Sequence, residues 1–595
     1  MIGQIGAGMM LAGAVVALMA FAWLGVGELR RARGAKTASP SVPRLDRPWL
    51  WILGAAIVIG AAVRFVGLDV KGLSHPEAYT PGINLPAGIS EPPPRHEFVE
   101  TAVWHFRAEP HPLGYYMAMW AWTKAFGASL ASIRIPEAIL GVLSLFVIYR
   151  VGSLAFEPRV GVIAAALLSL HGFHIFWSQA ARMYVPGAFL GLVSTWLLLE
   201  MGRLKRPSPA IELSYVAATV AGALTVEFFC PLLCIQILWA ALNHGAASAR
   251  RMARIGYFQA LAFILAAPTL SHAWMLARTD AAPPPTLGFL AQYFSFGFLF
   301  QHGAYPERLS PLPMVEALLV LALSLFLIYL GLRAPTAETD VDDPPPAPSI
   351  WPLAVAALGA SALMLGIAAV SDVRQEELAA LSVLPLLLLV LPLIVGSLRS
   401  VLSRFGPLEA MLRKGRNLTA LIPLQAFLPT LLLFAVSYQV ALTAPRAYVI
   451  FVPYLLVVIA AGVLSLTRWR RHAVIVALAI IFPASALLLR AIPLSPRDYQ
   501  GLARAMDAKM QADDLVFAPP RDWAYTPIFY YLDPKRIVAA NYADAVRRAP
   551  RSRVWVLSML RQGPTIEMAN ALSGYRIADK VEALQAGAVL LVPAP

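Results

Sequence analysis

The residues best suited to chemistry gather in one polar stretch, from about Gly67 to Gly127, within a chain that is otherwise apolar. Six carboxylates and four histidines lie there: Asp69, Glu77, Glu91, Glu97, Glu100, Glu109, His75, His96, His105 and His111. Such side chains accept and donate protons in active sites. A polar loop of this length between apolar segments is uncommon unless it has a function. We interpret this stretch, the acidic loop, as an active-site loop held against a bilayer; a solvated connector is the alternative.

The two halves of the acidic loop differ in character. Prolines run through the first half and exclude a long helix there. From His111 onward, aromatic residues such as Tyr115, Tyr116 and Trp120 predominate. Aromatic rings prefer the membrane interface, so this half predicts a helix that lies along the membrane surface.

The composition defines the class of protein. The chain has 595 residues, 58% hydrophobic and only 14% charged, whereas a soluble chain carries about 25% charged residues. Apolar runs long enough to cross a bilayer recur throughout, which predicts an all-α polytopic membrane protein with about 13–14 transmembrane helices. The net charge of +14 comes from Lys and Arg in short loops between spans, where they set topology and do not indicate nucleic acid. Cys230 and Cys234, the only cysteines, exclude a disulfide framework.

The order of spans predicts three regions. Residues 1–47 hold an N-terminal span and a basic cytoplasmic linker, and residues 48–490 form the transmembrane catalytic domain. Helical and strand-like runs alternate over residues 491–595, which predicts a small soluble α/β domain. The basic loops place the first outer loop (67–133) and this C-terminal domain on the extracytoplasmic face of the inner or plasma membrane.

Two details of the span assignment are specific enough to test. The pattern predicts a span at about 160–176, joined outside by HIFWSQAARMY to the next at about 184–201. The apolar pieces at about 211–223 and 228–242 form either two short helices or one kinked hairpin, with only Glu227 between them.

Several stretches together resemble the GT-C-type glycosyltransferases that use polyprenyl-phosphate sugars, as in the protein O-mannosyltransferases and the aminoarabinose transferases. The stretch EPHPLGYY is similar to an HPPLYY-like helix of that family, and SQAARMY resembles its SQEARMY-like signature. A late span that begins PRAYVIF and the C-terminal pieces QADDLVFAPP and RVWVLSML also resemble family elements. One departure is that Pro76 stands where the family carries its catalytic Asp, and another is that Ala180 replaces the signature Glu.

The resemblance implies transfer of a sugar from a polyprenyl phosphate to an acceptor hydroxyl, with inversion. A carboxylate must accept the proton of that hydroxyl, and the phosphate is already a good leaving group. Glu77, the surviving half of the family's acidic pair, is the first choice of base, with Asp69 second and Glu97 third. For each, a purely structural role is the alternative.

The leaving phosphate needs cationic or hydrogen-bonding partners. Arg182 and Arg446 are the main choices, because each lies at the edge of an apolar span, where a charge is costly unless it pairs or functions. Snorkelling to the interface is the alternative for both. The further binding candidates are Arg95, His111, His75, Tyr79 and Tyr184.

The sequence thus predicts a membrane glycosyltransferase without a cofactor. Its partners would be a polyprenyl-phosphate-linked sugar, a lipid, glycan or protein acceptor, and membrane lipids, but no nucleic acid. The histidines of the acidic loop show no tight ligand spacing, so no metal site is predicted, although other GT-C branches use a divalent metal. The alternatives from other classes are a transporter or flippase of lipid-linked substrates and an inactive assembly subunit.

Overall fold

A computed structural model gives the fold of the chain. It describes residues 15, 16, 19, 22, 45–83, 97–109, 111–204, 208–242, 249–277, 325–327, 329–331, 348–370, 381–392, 418–438, 445–490, 498–518, 523–533, 537–539, 552–558, 574–583 and 586–595.

Helices dominate the described residues up to position 490. The helices, including the first of the C-terminal region, are α1 Arg47–Phe65, α2 Phe98–Ala108, α3 Leu113–Phe126, α4 Leu130–Ala155, α5 Pro158–Ser169, α6 Gly172–Ser178, α7 Tyr184–Arg203, α8 Pro209–Thr225, α9 Phe229–Leu242, α10 Ala249–Ala277, α11 Ile350–Val370, α12 Leu384–Leu387, α13 Leu421–Val436, α14 Val452–Leu464, α15 Arg468–Arg490 and α16 Tyr499–Asp507. Short 3-10 segments occupy Pro76–Tyr79, Leu388–Val390, Leu418–Ala420, Pro445–Ile450 and Trp523–Tyr530.

Among the described residues, five helices are long and apolar enough to cross a membrane, and a bent pair makes a sixth candidate. With the shorter apolar helices and the C-terminal sheet, they confirm the predicted fold class of a polytopic helical membrane protein with a small α/β domain. Two predicted spans, the first and the one at about 314–332, lie mostly outside the described residues.

The span predicted at about 160–176 is broken in the structure. The chain forms two helices there, α5 and α6, bent by 62° relative to each other. At the break, the His171 ring accepts a hydrogen bond from the His174 backbone N–H at 3.3 Å. The buried Arg64 guanidinium donates to the Leu168 and Ser169 carbonyls at 3.0 Å each, at the end of α5, where helix carbonyls run short of intrahelical partners.

The apolar pieces at about 211–223 and 228–242 form two short helices. α8 ends at Thr225 and α9 begins at Phe229, so Glu227 lies in the turn between them.

α4 and α5 approach each other closely: an added Cβ on Gly152 would lie 2.8 Å from the Gly161 Cα atom. Small residues allow transmembrane helices to come this near to each other.

The C-terminal region forms a five-stranded mixed sheet against α16. Its strands are β1 Leu515–Ala518, β2 Ile537–Ala539, β3 Val554–Ser558, β4 Tyr575–Ala583 and β5 Ala586–Pro593, in the order β2-β1-β3-β5-β4. β2 and β3 pair with β1 in parallel, whereas β5 pairs antiparallel with β3 and β4. The prediction of helical and strand-like runs over residues 491–595 is confirmed by α16, β1, β3 and β5.

This domain contacts the acidic loop directly. The Tyr531 hydroxyl accepts a hydrogen bond from the Leu73 backbone N–H at 2.7 Å. The hydroxyls of Tyr79 and Thr526 lie 3.2 Å apart in a second, buried contact. The C-terminal domain therefore binds the start of the acidic loop through these two contacts.

Replacing Asp514 by Asn should loosen the C-terminal sheet. The Asp514 carboxylate is 1% exposed and accepts hydrogen bonds from Arg553 at 2.7 Å and from the Trp555 indole at 2.9 Å, so it joins β1 to β3. Each lost hydrogen bond to a buried charge should cost about 1.5–3 kcal/mol. We expect faster hydrogen–deuterium exchange in β1 and β3 of the full chain.

The matched control is Asp579→Asn, since Asp579 forms an exposed pair with Lys509 at 2.8 Å, and such pairs contribute little. Equal exchange in the two variants would contradict the role assigned to Asp514.

Candidate active site

The site is built on a buried ion pair between the acidic loop and α4. Arg134, in the first turns of α4, donates from Nε to Oε1 of Glu77 and from Nη2 to Oε2, both at 2.8 Å. Both side chains are fully buried. Two parallel hydrogen bonds of this kind are the strongest geometry for a guanidinium and a carboxylate.

The remaining donors of Arg134 bind the start of the acidic loop. They reach the carbonyls of Leu68 and Lys71 at 2.7 Å each, and that of Gly72 at 3.1 Å. The guanidinium therefore fixes the conformation of residues 68–77 through these hydrogen bonds.

Glu77 is saturated with donors. Besides Arg134, its Oε2 accepts from the backbone N–H and the hydroxyl of Ser74 at 2.9 Å each, and its Oε1 accepts from the Ala181 N–H at 2.9 Å. Burial by itself would raise the pKa of Glu77, but the charge of Arg134 and these hydrogen bonds outweigh it and hold the pKa below its ordinary value. Glu77 is thus a carboxylate that stays ionised and has no lone pair directed at a substrate.

The hydrogen bond from Ala181 to Glu77 also fixes the segment that precedes α7. The neighbouring Gln179 amide donates to the carbonyls of Val63 and Val66 at the end of α1, at 3.0 and 3.2 Å. The SQAARMY segment is therefore held from two sides, and Arg182 lies within it.

Arg182 is the buried cation of the site. Its side chain is 6% exposed, and Nη1 donates to the Pro76 carbonyl at 3.2 Å and to the Tyr116 hydroxyl at 3.4 Å. Burial opposes its charge, but the oxygens of Tyr116, Tyr184 and Glu109 outweigh burial and raise its pKa, so Arg182 remains a cation. No carboxylate forms an ion pair with it among the described residues.

Arg182 and two residues near it carry polar atoms that have no hydrogen-bond partner in the described structure. They are Nε of Arg182, the hydroxyl of Tyr184 and both ring nitrogens of His105. His105 stacks on Tyr116 with ring centroids 4.0 Å apart. Burial, followed by the charge of Arg182, lowers the pKa of His105 to about 3, so its ring is neutral at physiological pH. Buried polar groups normally have partners, and such a cluster indicates a place for a polar ligand.

A second carboxylate, which the sequence candidates omitted, adjoins Arg182. Glu109 is half-buried and accepts a hydrogen bond from the Tyr116 hydroxyl to Oε2 at 3.1 Å. Its position two residues before His111 in EPHPLGYY was the only signal in the sequence. His111 pairs with Glu227 in the α8–α9 turn, with Nδ1 and Oε1 2.9 Å apart.

The structure separates the other predicted residues from this cluster or leaves them at its edge. Asp69 and Arg446 are exposed. Glu97 is 77% exposed and lies 4.0 Å from Lys124. The rings of His75 and Tyr79 make an edge-to-face contact at 5.2 Å beside Glu77.

The last candidate, Arg95, lies outside the described residues. In the part of the chain that the structure describes, no group of three or more His, Cys, Asp or Glu side chains is arranged to hold a metal ion.

The helix from His111 onward that the sequence predicted is present as α3. It packs one face into the protein, because Tyr115, Tyr116 and Met119 are buried, while Phe126 is 64% exposed.

Comparison with protein families agrees with the motifs. Residues 110–272, from the start of α3 through most of α10, match the family described as dolichyl-phosphate-mannose-protein mannosyltransferase. This segment contains Arg182, His111 and Glu227. The resemblance to glycosyltransferases of this type is thereby confirmed over that segment. No curated protein matches the chain.

Several solved structures of membrane glycosyltransferases are similar to the chain at low identity. ArnT from Cupriavidus metallidurans bound to undecaprenyl phosphate is 13% identical, with 92% of this chain and 98% of that chain covered, at a TM-score of 0.39. Archaeoglobus fulgidus AglB, in complex with an inhibitory peptide and a dolichol-phosphate, is 14% identical over 91% and 74%, at 0.43. Mycobacterial arabinofuranosyltransferase AftD is 11% identical over 93% and 40%, at 0.41.

Replacing Glu77 by Gln should destabilise the protein. The amide leaves the Arg134 charge buried without a counterion, and loss of one partner of such a pair typically costs about 3–5 kcal/mol. We expect a lower melting temperature of the purified protein in detergent.

Glu97→Gln serves as the control, since the one described ion pair of that exposed carboxylate is with Lys124 at 4.0 Å. An unchanged melting temperature of Glu77→Gln together with lost sugar transfer would instead support Glu77 as the base.

Proposed function

We propose that this protein is a membrane glycosyltransferase that transfers a sugar, with inversion, from a polyprenyl phosphate to a hydroxyl acceptor. The donor binds with its phosphate at Arg182 and its lipid chain against the apolar helices. The acceptor is a lipid, a glycan or a protein.

The observation that carries the proposal is the environment of Arg182. A buried guanidinium is costly unless an anion accompanies it, yet its described hydrogen-bond acceptors are a carbonyl and a phenol oxygen, and the nearby Glu109 carboxylate forms no described ion pair with it. An anionic ligand would supply the missing charge and accept a hydrogen bond from the unpaired Nε atom. Phosphate is well suited, because arginine binds it through two parallel hydrogen bonds.

The family match favours one class of anion for the site at Arg182. Arg182 lies inside the segment that matches dolichyl-phosphate-mannose-protein mannosyltransferases, whose name specifies a lipid-phosphate sugar. Tyr184 and His105 provide neutral polar atoms beside the cation, and such atoms suit phosphate oxygens or sugar hydroxyls. The pattern of basic loops in the sequence supports a site on the outer face, where a flipped lipid-linked sugar is presented.

Replacing Arg182 by Gln should weaken donor binding. The loss of a charge-assisted contact of about 1.5–3 kcal/mol corresponds to a Kd for undecaprenyl phosphate that is about 10–100 times higher. Binding of undecaprenyl phosphate to purified protein in nanodiscs measures this change.

Two further variants complete that test. Arg446→Gln examines the second arginine predicted from the sequence, which is exposed, and we expect a smaller change. Arg159→Gln is the control, because Arg159 forms a half-exposed pair with Asp46 at 3.4 Å. Equal affinities for the wild-type protein and Arg182→Gln would rule out Arg182 as the phosphate site.

The purified protein should use lipid-linked donors and no nucleotide sugars. We expect radiolabelled mannose to pass from undecaprenyl phosphate mannose to a mixture of membrane lipids and proteins, but none from GDP-mannose. The reverse result would contradict both the donor class and the outer location of the site.

A further inference from the structure

Direct displacement at the anomeric carbon requires a base beside the phosphate site, and the family's Asp is replaced by Pro76. We propose that Glu109 is the catalytic base of this chain. The proposal rests on the proposed function and adds the residue that accepts the acceptor's proton.

The other carboxylates of the acidic loop that the structure describes fail one of two requirements. A base needs a free lone pair, and it must lie close to the reacting atoms. Glu77 meets the second requirement but not the first, since five donor groups occupy its two oxygens. Asp69, Glu97 and Glu100 are exposed and make no described contact with Arg182.

Glu109 meets both requirements. The one described hydrogen bond to its carboxylate comes from the Tyr116 hydroxyl to Oε2, so no described donor occupies Oε1. Its half-buried position keeps part of the carboxylate accessible.

The Tyr116 hydroxyl fixes the geometry between base and cation. It donates to Glu109 at 3.1 Å and accepts from Nη1 of Arg182 at 3.4 Å. Stacking of His105 on the Tyr116 ring restricts the rotation of that ring. A carboxylate and a phosphate-binding guanidinium are thus held on opposite sides of one phenol oxygen, with Tyr116 as a positioning residue.

The reaction then balances without a further reactant. The acceptor oxygen forms a bond to the anomeric carbon while its proton passes to Oε1 of Glu109. The bond between the anomeric carbon and the phosphate oxygen breaks, and its electron pair leaves with the polyprenyl phosphate beside Arg182. Glu109 afterwards returns the proton to water.

His111 is the competing base. Its Nδ1 lies 2.9 Å from Oε1 of Glu227, an arrangement in which a carboxylate orients an imidazole. It is only two residues from Glu109, but neither His111 nor Glu227 has a described contact with Arg182 or Tyr116. We therefore assign His111 and Glu227 to joining the acidic loop to the α8–α9 turn.

The test compares Glu109→Gln with Glu97→Gln, a carboxylate of the same loop that is 77% exposed. The probe is undecaprenyl phosphate mannose, with membrane lipids and proteins as acceptors. General-base catalysis contributes typically 100- to 10,000-fold, so kcat of Glu109→Gln should fall by about that factor. Its Kd for undecaprenyl phosphate should stay at the wild-type value, and Glu97→Gln should retain wild-type kcat.

A second variant distinguishes a catalytic role of Glu109 as base from a purely structural role. In Glu109→Ala, added formate can occupy the space of the lost carboxylate and accept the proton, so it should restore part of the transfer. Formate should have no effect on Arg182→Gln.

The outcomes distinguish this proposal from the proposed function. Wild-type turnover by Glu109→Gln, or a Glu109→Ala variant that formate does not restore, overturns the assignment of Glu109 while the transferase activity stands. A loss of kcat in His111→Gln together with full turnover by Glu109→Gln transfers the role to His111. No transfer by the wild-type protein overturns the proposed function and Glu109 with it.

Discussion

The ion pair between Arg134 and Glu77 is the interaction on which the rest of the site depends. Removing two charges from water is costly, and only complete hydrogen bonding offsets that cost. The pair meets this condition by recruiting donors and acceptors from three parts of the chain: the start of the acidic loop, α4 and the segment before α7. These three parts can therefore adopt only one mutual arrangement, and that arrangement brings Arg182 against the Pro76 carbonyl.

The same residue type serves two purposes in the acidic loop because its surroundings differ. Glu77 is enclosed by donors and its pKa is held low, which suits a permanent structural anion. Glu109 has one described donor and remains half-buried, which suits a group that exchanges a proton. Pro76, at the position of the Asp in the family that the sequence resembles, supplies a carbonyl that binds Arg182, which fits the proposal that another part of the loop accepts the proton.

The C-terminal domain extends the support of the site. Tyr531 and Thr526 bind the acidic loop at Leu73 and Tyr79, on either side of the residues that hold Glu77. The small sheet domain thus contacts the candidate site through two hydrogen bonds to the loop, and none of its described residues hydrogen-bonds to Arg182.

The sequence by itself determined the fold class, because long apolar runs and alternating strand patterns depend on local composition. It also identified the acidic loop and the SQAARMY segment, since polar groups beside apolar spans stand out without any structure. Only the tertiary structure decided which carboxylate is saturated and which has a free oxygen. The partners of Glu77 lie 57 residues away at Arg134 and 104 residues away at Ala181. Hydrogen bonds between such distant residues leave no local pattern, so the sequence could not show that five donor groups occupy the oxygens of Glu77.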